Sequence, residues 1–313
     1  MMEQAAIKKL LDQFGVIHEE ESPTSIYPYA PVFKCKYLGH DVIVKRTRKE
    51  LKEAEQLKKW LLHLRQQGIQ VVTPFHDRPF VNFDGHQWVM YPFIEGRPYN
   101  GSKADIVEAG KLLGRIHRQS AIFDSGSFSW EQYDADFQTE IASDSKQILK
   151  WLHGEEERKQ FKSIIQHFEE MTHSRLPLLE KLDLPNVTAS RDYKANNLIY
   201  GLDQKPTLID PDNGGIIPRI VDLAICCIIF HNDGMGTVPP RPLTQEEWSH
   251  FMEGYSQYTQ LTKLEQEVWV DVLLLLFMDE GLWLIVDSME DHNPRQKEFA
   301  YSLTQFEPSL YKL

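Results

Sequence analysis

Apolar positions recur along this chain with two periods, and each change of period marks an element. Residues 4–14 place Ala5, Ile7, Leu10, Leu11 and Phe14 on one side of a helix. Val16-Ile17-His18 reads as a short strand. Over residues 31–46 the period falls to two. Val32-Phe33-Lys34-Cys35-Lys36-Tyr37 alternates, Leu38-Gly39-His40-Asp41 supplies a turn, and Val42-Ile43-Val44-Lys45 forms the returning arm of a hairpin. Helical spacing returns over 49–66 with Leu51, Ala54, Leu57, Leu61 and Leu64, and Gly68 stops it. A strand is predicted over 70–74, then a hairpin over 80–90 around Asp84-Gly85, whose apolar run continues through Tyr91 to Gly96.

Beyond this point helices dominate. One spans 104–120 on Ile106, Val107, Ala109, Leu112, Leu113 and Ile116. A charged helical stretch fills 130–182, with blocks at 148–171 and 176–182. Two short strands, 198–200 and 206–209, flank a turn at 201–205. A further helix opens at 218–224, and three more lie near 244–260, 264–289 and 295–304. The longest apolar stretch, 268–286, is interrupted by Asp271, Asp279, Glu280 and Gly281, so it reads as a buried helix and not as a membrane span. There is no internal repeat.

Composition narrows the function class. In 313 residues, 42% are hydrophobic, enough for a sizeable core and against disorder. The formal charge of −12 disfavours sequence-independent nucleic-acid binding, which depends on basic surfaces. It suits a cationic small substrate, although acidity also serves solubility. Cys35, Cys226 and Cys227 match no zinc spacing and are expected as buried, reduced thiols. The first residues, Met1-Met2-Glu3-Gln4, lack the pattern of a signal peptide, so a cytoplasmic chain is expected.

The candidate chemistry lies between residues 190 and 212. Ser190-Arg191-Asp192-Tyr193-Lys194-Ala195-Asn196-Asn197 is followed by Leu208-Ile209-Asp210-Pro211-Asp212. An Asp, an Asn five residues later and another Asp at a strand end are the parts of a phosphoryl-transfer site. One carboxylate takes the proton of an attacking hydroxyl, and the other two side chains offer magnesium its preferred oxygen ligands. Any one of these acids alone is equally a turn former.

The string Arg191-Asp192-Tyr193-Lys194-Ala195-Asn196-Asn197 is similar to the catalytic loop of protein kinases. Its context resembles the aminoglycoside phosphotransferase and choline kinase family, the small-molecule branch of that fold. The resemblance implies an α+β, two-lobed protein-kinase-like fold. A small antiparallel lobe of five strands and one helix would span residues 1–95, and a mostly helical lobe 96–313. It implies ATP and Mg2+ as cofactors and a small-molecule hydroxyl as acceptor, with no nucleic-acid or membrane partner, in a monomer or homodimer. Asp192 becomes the catalytic base, and Lys194 the neutraliser of the γ-phosphate. Asn197, Asp210 and Asp212 become metal ligands. Lys45 would contact the phosphates, steadied by Glu53 on the 49–66 helix; the plain alternative for Glu53 is a solvated helix face. Adenine would bond to backbone groups near Met90, Tyr91 and Phe93, although an ordinary interdomain crossover would read the same.

Other residues fall into place on the same resemblance. His117 reads as structural, and Asp222 as a structural acid bonding the catalytic-loop backbone. His231-Asn232-Asp233-Gly234 is a candidate acceptor rim. Asp279 and Glu280 read first as a solvent-facing polar face and second as acids meeting a substrate amine. Two departures stand out. The stretch from Ser22 to Ala30 has no glycine-rich pattern, leaving Ser25 and Tyr27 as the hydroxyls in reach of phosphate or simply as surface residues. Ser190-Arg191 replaces the family's His-Gly before the catalytic Asp, which puts the bracing of the loop in question.

The first expectation is therefore a kinase of a small, amine-bearing alcohol, with an antibiotic as first guess and choline, homoserine or a sugar-like metabolite next. A non-catalytic kinase-like binding protein is the alternative from another class. A protein kinase is disfavoured because no Ala-Pro-Glu segment follows Asp210.

Overall fold

The computed structural model describes residues 3–17, 23–75, 80–121, 130, 133–179, 181–233, 236 and 238–313. Expectations that fall on His18, Ser22 and Gly234 lie outside the described residues.

Helix α1 (Gln4–Phe14) buries Ile7, Leu10, Leu11 and Phe14, and Gly15 ends it in the left-handed conformation, at φ 70°. Strands β1 (Val32–Tyr37) and β2 (His40–Thr47) precede helix α2 (Leu51–Gln66), and β3 (Phe80–Phe83) and β4 (His86–Pro92) follow it. The four strands form one antiparallel sheet in the order β1-β2-β4-β3. Both hairpins turn on two residues at positive φ: Leu38 and Gly39 at 50° and 83°, Asp84 and Gly85 at 52° and 73°. That geometry matches the right-handed twist of the paired strands.

Alternation along β4 decides how the sheet is covered. Trp88 and Met90 join Phe33, Cys35, Val42 and Val44 beneath α1. Val89 and Tyr91 point the other way, into the core shared with Leu57, Trp60, Leu61 and Leu64 of α2. The sheet therefore carries a helix on each face, α1 and α2, at the two places where the apolar spacing is helical. The segment expected as a fifth strand goes elsewhere. Val71 makes a single parallel bridge to Leu208, supported by Val72 N–H to Leu208 O at 2.9 Å and Leu208 N–H to Gln70 O at 3.0 Å.

Strand β5 (Arg97–Pro98) leads into α3 (Lys103–Ser120), α4 (Ala135–Trp151), α5 (Glu155–Ser174) and the short α6 (Leu176–Leu179). Strands β6 (Asn186–Ala189), β7 (Leu198–Tyr200), β8 (Pro206–Leu208) and β9 (Gly215–Pro218) form two small sheets, β5-β7-β8 and β6-β9. Helix α7 (Arg219–Ile229) is buried at every position from Ile220 to Ile229, including Cys226 and Cys227. Helices α8 (Gln245–Tyr255), α9 (Lys263–Leu276), α10 (Leu282–Met289) and α11 (Pro294–Leu303) complete the chain. The helix expected over 264–289 is broken by one π turn, Phe277–Gly281. No helix among the described residues is long and apolar enough to cross a membrane.

Helices α3 and α8 meet almost backbone to backbone. A Cβ on Gly110 would stand 2.0 Å from the carbonyl oxygen of Phe251, and one on Gly254 would stand 2.0 Å from that of Val107. Only glycine permits such an approach. This contact ties α8 to α3 and, through it, to the floor of the site.

Candidate active site

The site is assembled by two loops held between the small sheets. Residues 190–197 connect β6 to β7, and residues 209–214 connect β8 to β9. Because β6 pairs with β9 and β7 with β8, both loops emerge at the same end. Ile209 N–H donates to Asn197 O at 2.8 Å and joins them directly. Each loop turns through a residue at positive φ other than glycine: Arg191 at 57° and Asp210 at 53°. Such a conformation costs energy, so the surrounding structure must enforce it.

On the first loop, Lys194 Nζ lies 2.9 Å from Asp192 Oδ1. Asn197 Nδ2 donates to the Asp192 carbonyl at 2.9 Å and to Asp192 Oδ2 at 3.2 Å. Burial raises the Asp192 carboxyl above its ordinary range despite the pull of Lys194. Burial lowers the Lys194 ammonium, but Asp192, with Tyr27 and Asp210, together raise it above its ordinary value, so it stays charged. The bracing in question at Ser190-Arg191 comes from elsewhere. Tyr193, fully buried, donates its hydroxyl to the Ala109 carbonyl on α3 at 2.7 Å, and Ala195 N–H donates to Phe230 O at 2.8 Å. Sequence reasoning missed Tyr193; its signal was an aromatic between two charged residues, at a place where a solvated loop needs none.

On the second loop, Asp210 pairs with Lys45 and its side chain is 50% exposed. Asp212 reaches the same ammonium at 3.1 Å. Tyr91 Oη donates to Asp212 Oδ1 at 2.8 Å. Burial first, and Asp212 second, push the Tyr91 phenol well above its ordinary value, so it remains a donor.

Four expected assignments change. Glu53 does not pair with Lys45: it stands exposed in the first turn of α2, where its carboxylate accepts the Glu50 N–H at 3.1 Å in a capping box. The buried face of α2 carries Ala54, Leu57, Trp60, Leu61 and Leu64 instead. Phe93 spends its N–H on Asp41 O at 3.0 Å, and the Met90 carbonyl accepts Phe75 N–H at 3.0 Å. Strand alternation turns the Pro92 carbonyl, at the end of β4, away from β2, and Ile94 follows just past the strand. Asp222 bonds His117 and not the loop: His117 Nε2–H donates to it at 2.9 Å, and His117 Nδ1 meets the Tyr255 hydroxyl at 2.9 Å, all three residues being buried. His231 is core and not rim; it is fully buried against Tyr99 Oη at 3.1 Å, and burial lowers its pKa to about 4.

The loop before β1 folds over this centre. The Ser25 hydroxyl is engaged within its own loop: it lies 2.8 Å from the carbonyls of Tyr27 and Ala30, its one proton serving either, and it accepts Val32 N–H at 3.0 Å. Tyr27 lies within electrostatic reach of Lys194, Asp210 and Asp192, and burial raises its phenol. Tyr29 packs edge-on against Tyr27 and accepts a hydrogen bond from Asn293 Nδ2 at 3.3 Å.

Asp279 and Glu280 sit on the π turn, are half-buried and lie on the side of the site. Burial raises both carboxyls. The Tyr133 hydroxyl bonds Asp279, Arg191 lies within electrostatic reach of both acids, and Asp192 and Lys194 lie within reach of Glu280. A π turn shifts the side chains that follow it around the helix, a device common at functional sites.

The donor set fits a hard cation. Asn197 has committed its amide N–H groups to Asp192, so its amide oxygen is the group it can offer a cation, and Asp210 offers a half-exposed carboxylate. Magnesium is held by one or two such ligands plus phosphate oxygens and water. Asn197 and Asp210 are the residues that would hold it, and when bound it would offset charge on the phosphates.

The model of the phosphotransferase enzyme family (APH) matches residues 30–260, and the chain belongs to that family. It is a small-molecule phosphotransferase. Its fold is that of an amicoumacin kinase solved with AMP-PNP, Ca2+ and its ligand Ami: 16% identity, TM-score 0.66, covering 97% of this chain and 92% of that one. A microcompartment-associated aminopropanol kinase aligns at 16% identity and TM-score 0.67, over 97% and 95% of the two chains. The spectinomycin phosphotransferase APH(9)-Ia, in complex with ADP and spectinomycin, aligns at 19% identity and TM-score 0.58, over 98% and 95%. No curated protein matches the sequence.

Proposed function

We propose that this protein transfers the γ-phosphoryl group of ATP, with magnesium, to a hydroxyl of a small amine-bearing molecule. One observation carries the reading: the Asp192–Lys194 pair and the Lys45–Asp210 pair meet at the same end of two adjoining loops. A phosphoryl donor and a hydroxyl acceptor need those two groups of charges side by side.

In the proposed step the acceptor oxygen forms a bond to the γ-phosphorus as the bond to the bridging oxygen breaks. ADP leaves with the bridging oxygen, and the hydroxyl proton passes to Asp192. Lys194 offsets charge on the transferring group, and Lys45 offsets charge on the remaining phosphates. Pro92 and Ile94 supply the backbone groups for adenine. Residues 1–95 serve as the nucleotide lobe and 96–313 as the lobe for catalysis and acceptor binding. The protein works in the cytoplasm as a monomer or homodimer.

Asp279 and Glu280 support an amine on the acceptor, since two half-buried carboxylates on the side of the site favour a cation. An antibiotic of aminoglycoside type is the leading acceptor; likeness to kinases of amicoumacin and spectinomycin supports it. Likeness to an aminopropanol kinase supports a second reading, a metabolite kinase for amino alcohols such as choline or homoserine, or for a sugar-like alcohol. The test is mass spectrometry of products after incubation with magnesium-ATP and a panel: aminoglycosides, spectinomycin, aminopropanol, choline and homoserine, each beside an analogue lacking the amine. Phosphorylation of an amine-bearing member over its analogue is expected. Equal phosphorylation of both would remove the amine from the account.

A further inference from the structure

Asp210 and Asp212 are two residues apart on one loop, yet they stand in different surroundings. The Asp210 side chain is 50% exposed, whereas that of Asp212 is 13% exposed. Both oxygens of Asp212 face the first sheet, one in a hydrogen bond and one in an ion pair. Oδ1 accepts the Tyr91 hydroxyl from β4 at 2.8 Å, and Oδ2 lies 3.1 Å from Lys45 Nζ on β2. The register explains how both reach it. Lys45 pairs with Val89 and Ile43 with Tyr91, so Lys45 and Tyr91 are diagonal neighbours on the face turned to the loop.

The opposite wall offers Lys45 nothing. The buried face of α2 is apolar, and Leu57 packs so tightly on the loop that a Cβ on Gly214 would stand 2.8 Å from its Cδ1. Glu53 is occupied at the helix N-terminus. A buried ammonium without a carboxylate partner costs several kcal/mol. Asp210 alone is a poor permanent anchor, because the site needs it for a cation. Asp212, the more buried of the two acids, has one oxygen in an ion pair with the lysine and one on the tyrosine hydroxyl.

We infer that Asp212, clamped by the Tyr91 hydroxyl, is the positioning residue that holds the Lys45 ammonium at the phosphate end of the site. It takes the place of a helix carboxylate and leaves the metal to Asn197 and Asp210. The inference rests on the nucleotide reading of this site.

The test is a double-mutant cycle read by calorimetric titration of ATP in EDTA and again over a magnesium series. The proteins are wild type, Lys45→Met, Asp212→Asn, Tyr91→Phe, and each of the last two combined with Lys45→Met. In the wild-type background Lys45→Met is expected to weaken metal-free ATP binding about tenfold; in the Asp212→Asn and Tyr91→Phe backgrounds the same change should cost less than about threefold. The magnesium concentration giving half its effect should be the same in Asp212→Asn as in wild type. Tyr91→Phe removes one hydroxyl and keeps the test open if Asp212→Asn does not fold. An unchanged cost of Lys45→Met in both backgrounds overturns the assignment. So does an Asp212→Asn protein that needs about tenfold more magnesium, since that is the behaviour of a metal ligand. Wild-type protein that binds no nucleotide overturns the nucleotide reading itself, and this assignment with it.

Discussion

Lys194 Nζ lies 2.9 Å from Asp192 Oδ1, so the two charges nearest the transfer step hold one another before any substrate arrives. Both side chains are 18% exposed, and Asn197 fixes the far oxygen of the carboxylate. The base therefore enters the reaction already oriented, and the lysine is already beside the place where charge develops. Lys194→Met is expected to lower kcat by about 10²-fold, the usual loss on removing one donor to developing charge. The Kd for ATP should change by no more than a few-fold. Steady-state kinetics and calorimetry on the same preparation check both parts.

The π turn makes a separate prediction about the acceptor. Asp279→Asn and Glu280→Gln should each raise the KM for an amine-bearing acceptor by about tenfold or more, the value of a charge-assisted hydrogen bond. Neither change should alter the KM for ATP. An acceptor lacking the amine should show no such difference between the variants and wild type.

The α3–α8 contact is a matter of space alone. Gly110→Ala sets a methyl group 2.0 Å from the Phe251 carbonyl oxygen, and the two helices must part to admit it. A loss of about 3 kcal/mol in chemical denaturation is expected, at the upper end for overpacking. Gly39→Ala has open space around its Cβ, but φ there is 83°. Its loss should therefore come from backbone strain alone and be smaller.

Glu247 gives a pH signature. Its carboxylate takes two donors from Arg241 at 2.6 and 2.9 Å and the Thr244 N–H at 2.7 Å. Burial alone would raise its pKa, but these donors bring it down from the ordinary 4.5 to about 2. The folded state thus binds its proton less readily than the unfolded one. Stability from this group is present in full above the ordinary value and is lost as pH falls toward about 2. Glu247→Gln should be less stable than wild type at neutral pH by about 1 kcal/mol after solvent screening of this partly exposed pair, with the gap closing in acid. Urea unfolding at a series of pH values checks the direction and the window.

Much of the site was legible because its parts are fixed by short-range spacing. Asp192, Asn197 and Asp210 lie on loops beside the two strands legible at 198–200 and 206–209, whereas β6 and β9 are not legible in the sequence. Lys45 was legible for the same reason, as the end of a hairpin arm. What failed depended on which neighbour a buried face meets. Periodicity placed Leu57 and Leu61 inward on α2, but several acids near that helix start competed for one role, and capping claimed Glu53. Tyr91 was singled out for its backbone, whereas its hydroxyl is the part that reaches Asp212. The segment at 70–74 reads like a strand, and only the tertiary fold determines that it bridges to Leu208. The placement of Asp279 and Glu280 on the side of the site follows from a π turn that apolar spacing does not encode.

The central claim is that Asp192 takes the proton of an acceptor hydroxyl in a phosphoryl transfer. ADP release from magnesium-ATP, with and without each acceptor of the panel, tests it most directly when wild type and Asp192→Asn are compared. The account predicts that at least one amine-bearing alcohol raises ADP release well above the rate with water. With Asp192→Asn the stimulated rate should fall by about 10²- to 10⁴-fold while ATP still binds. Acceptor-stimulated turnover that survives Asp192→Asn within a few-fold would contradict the claim.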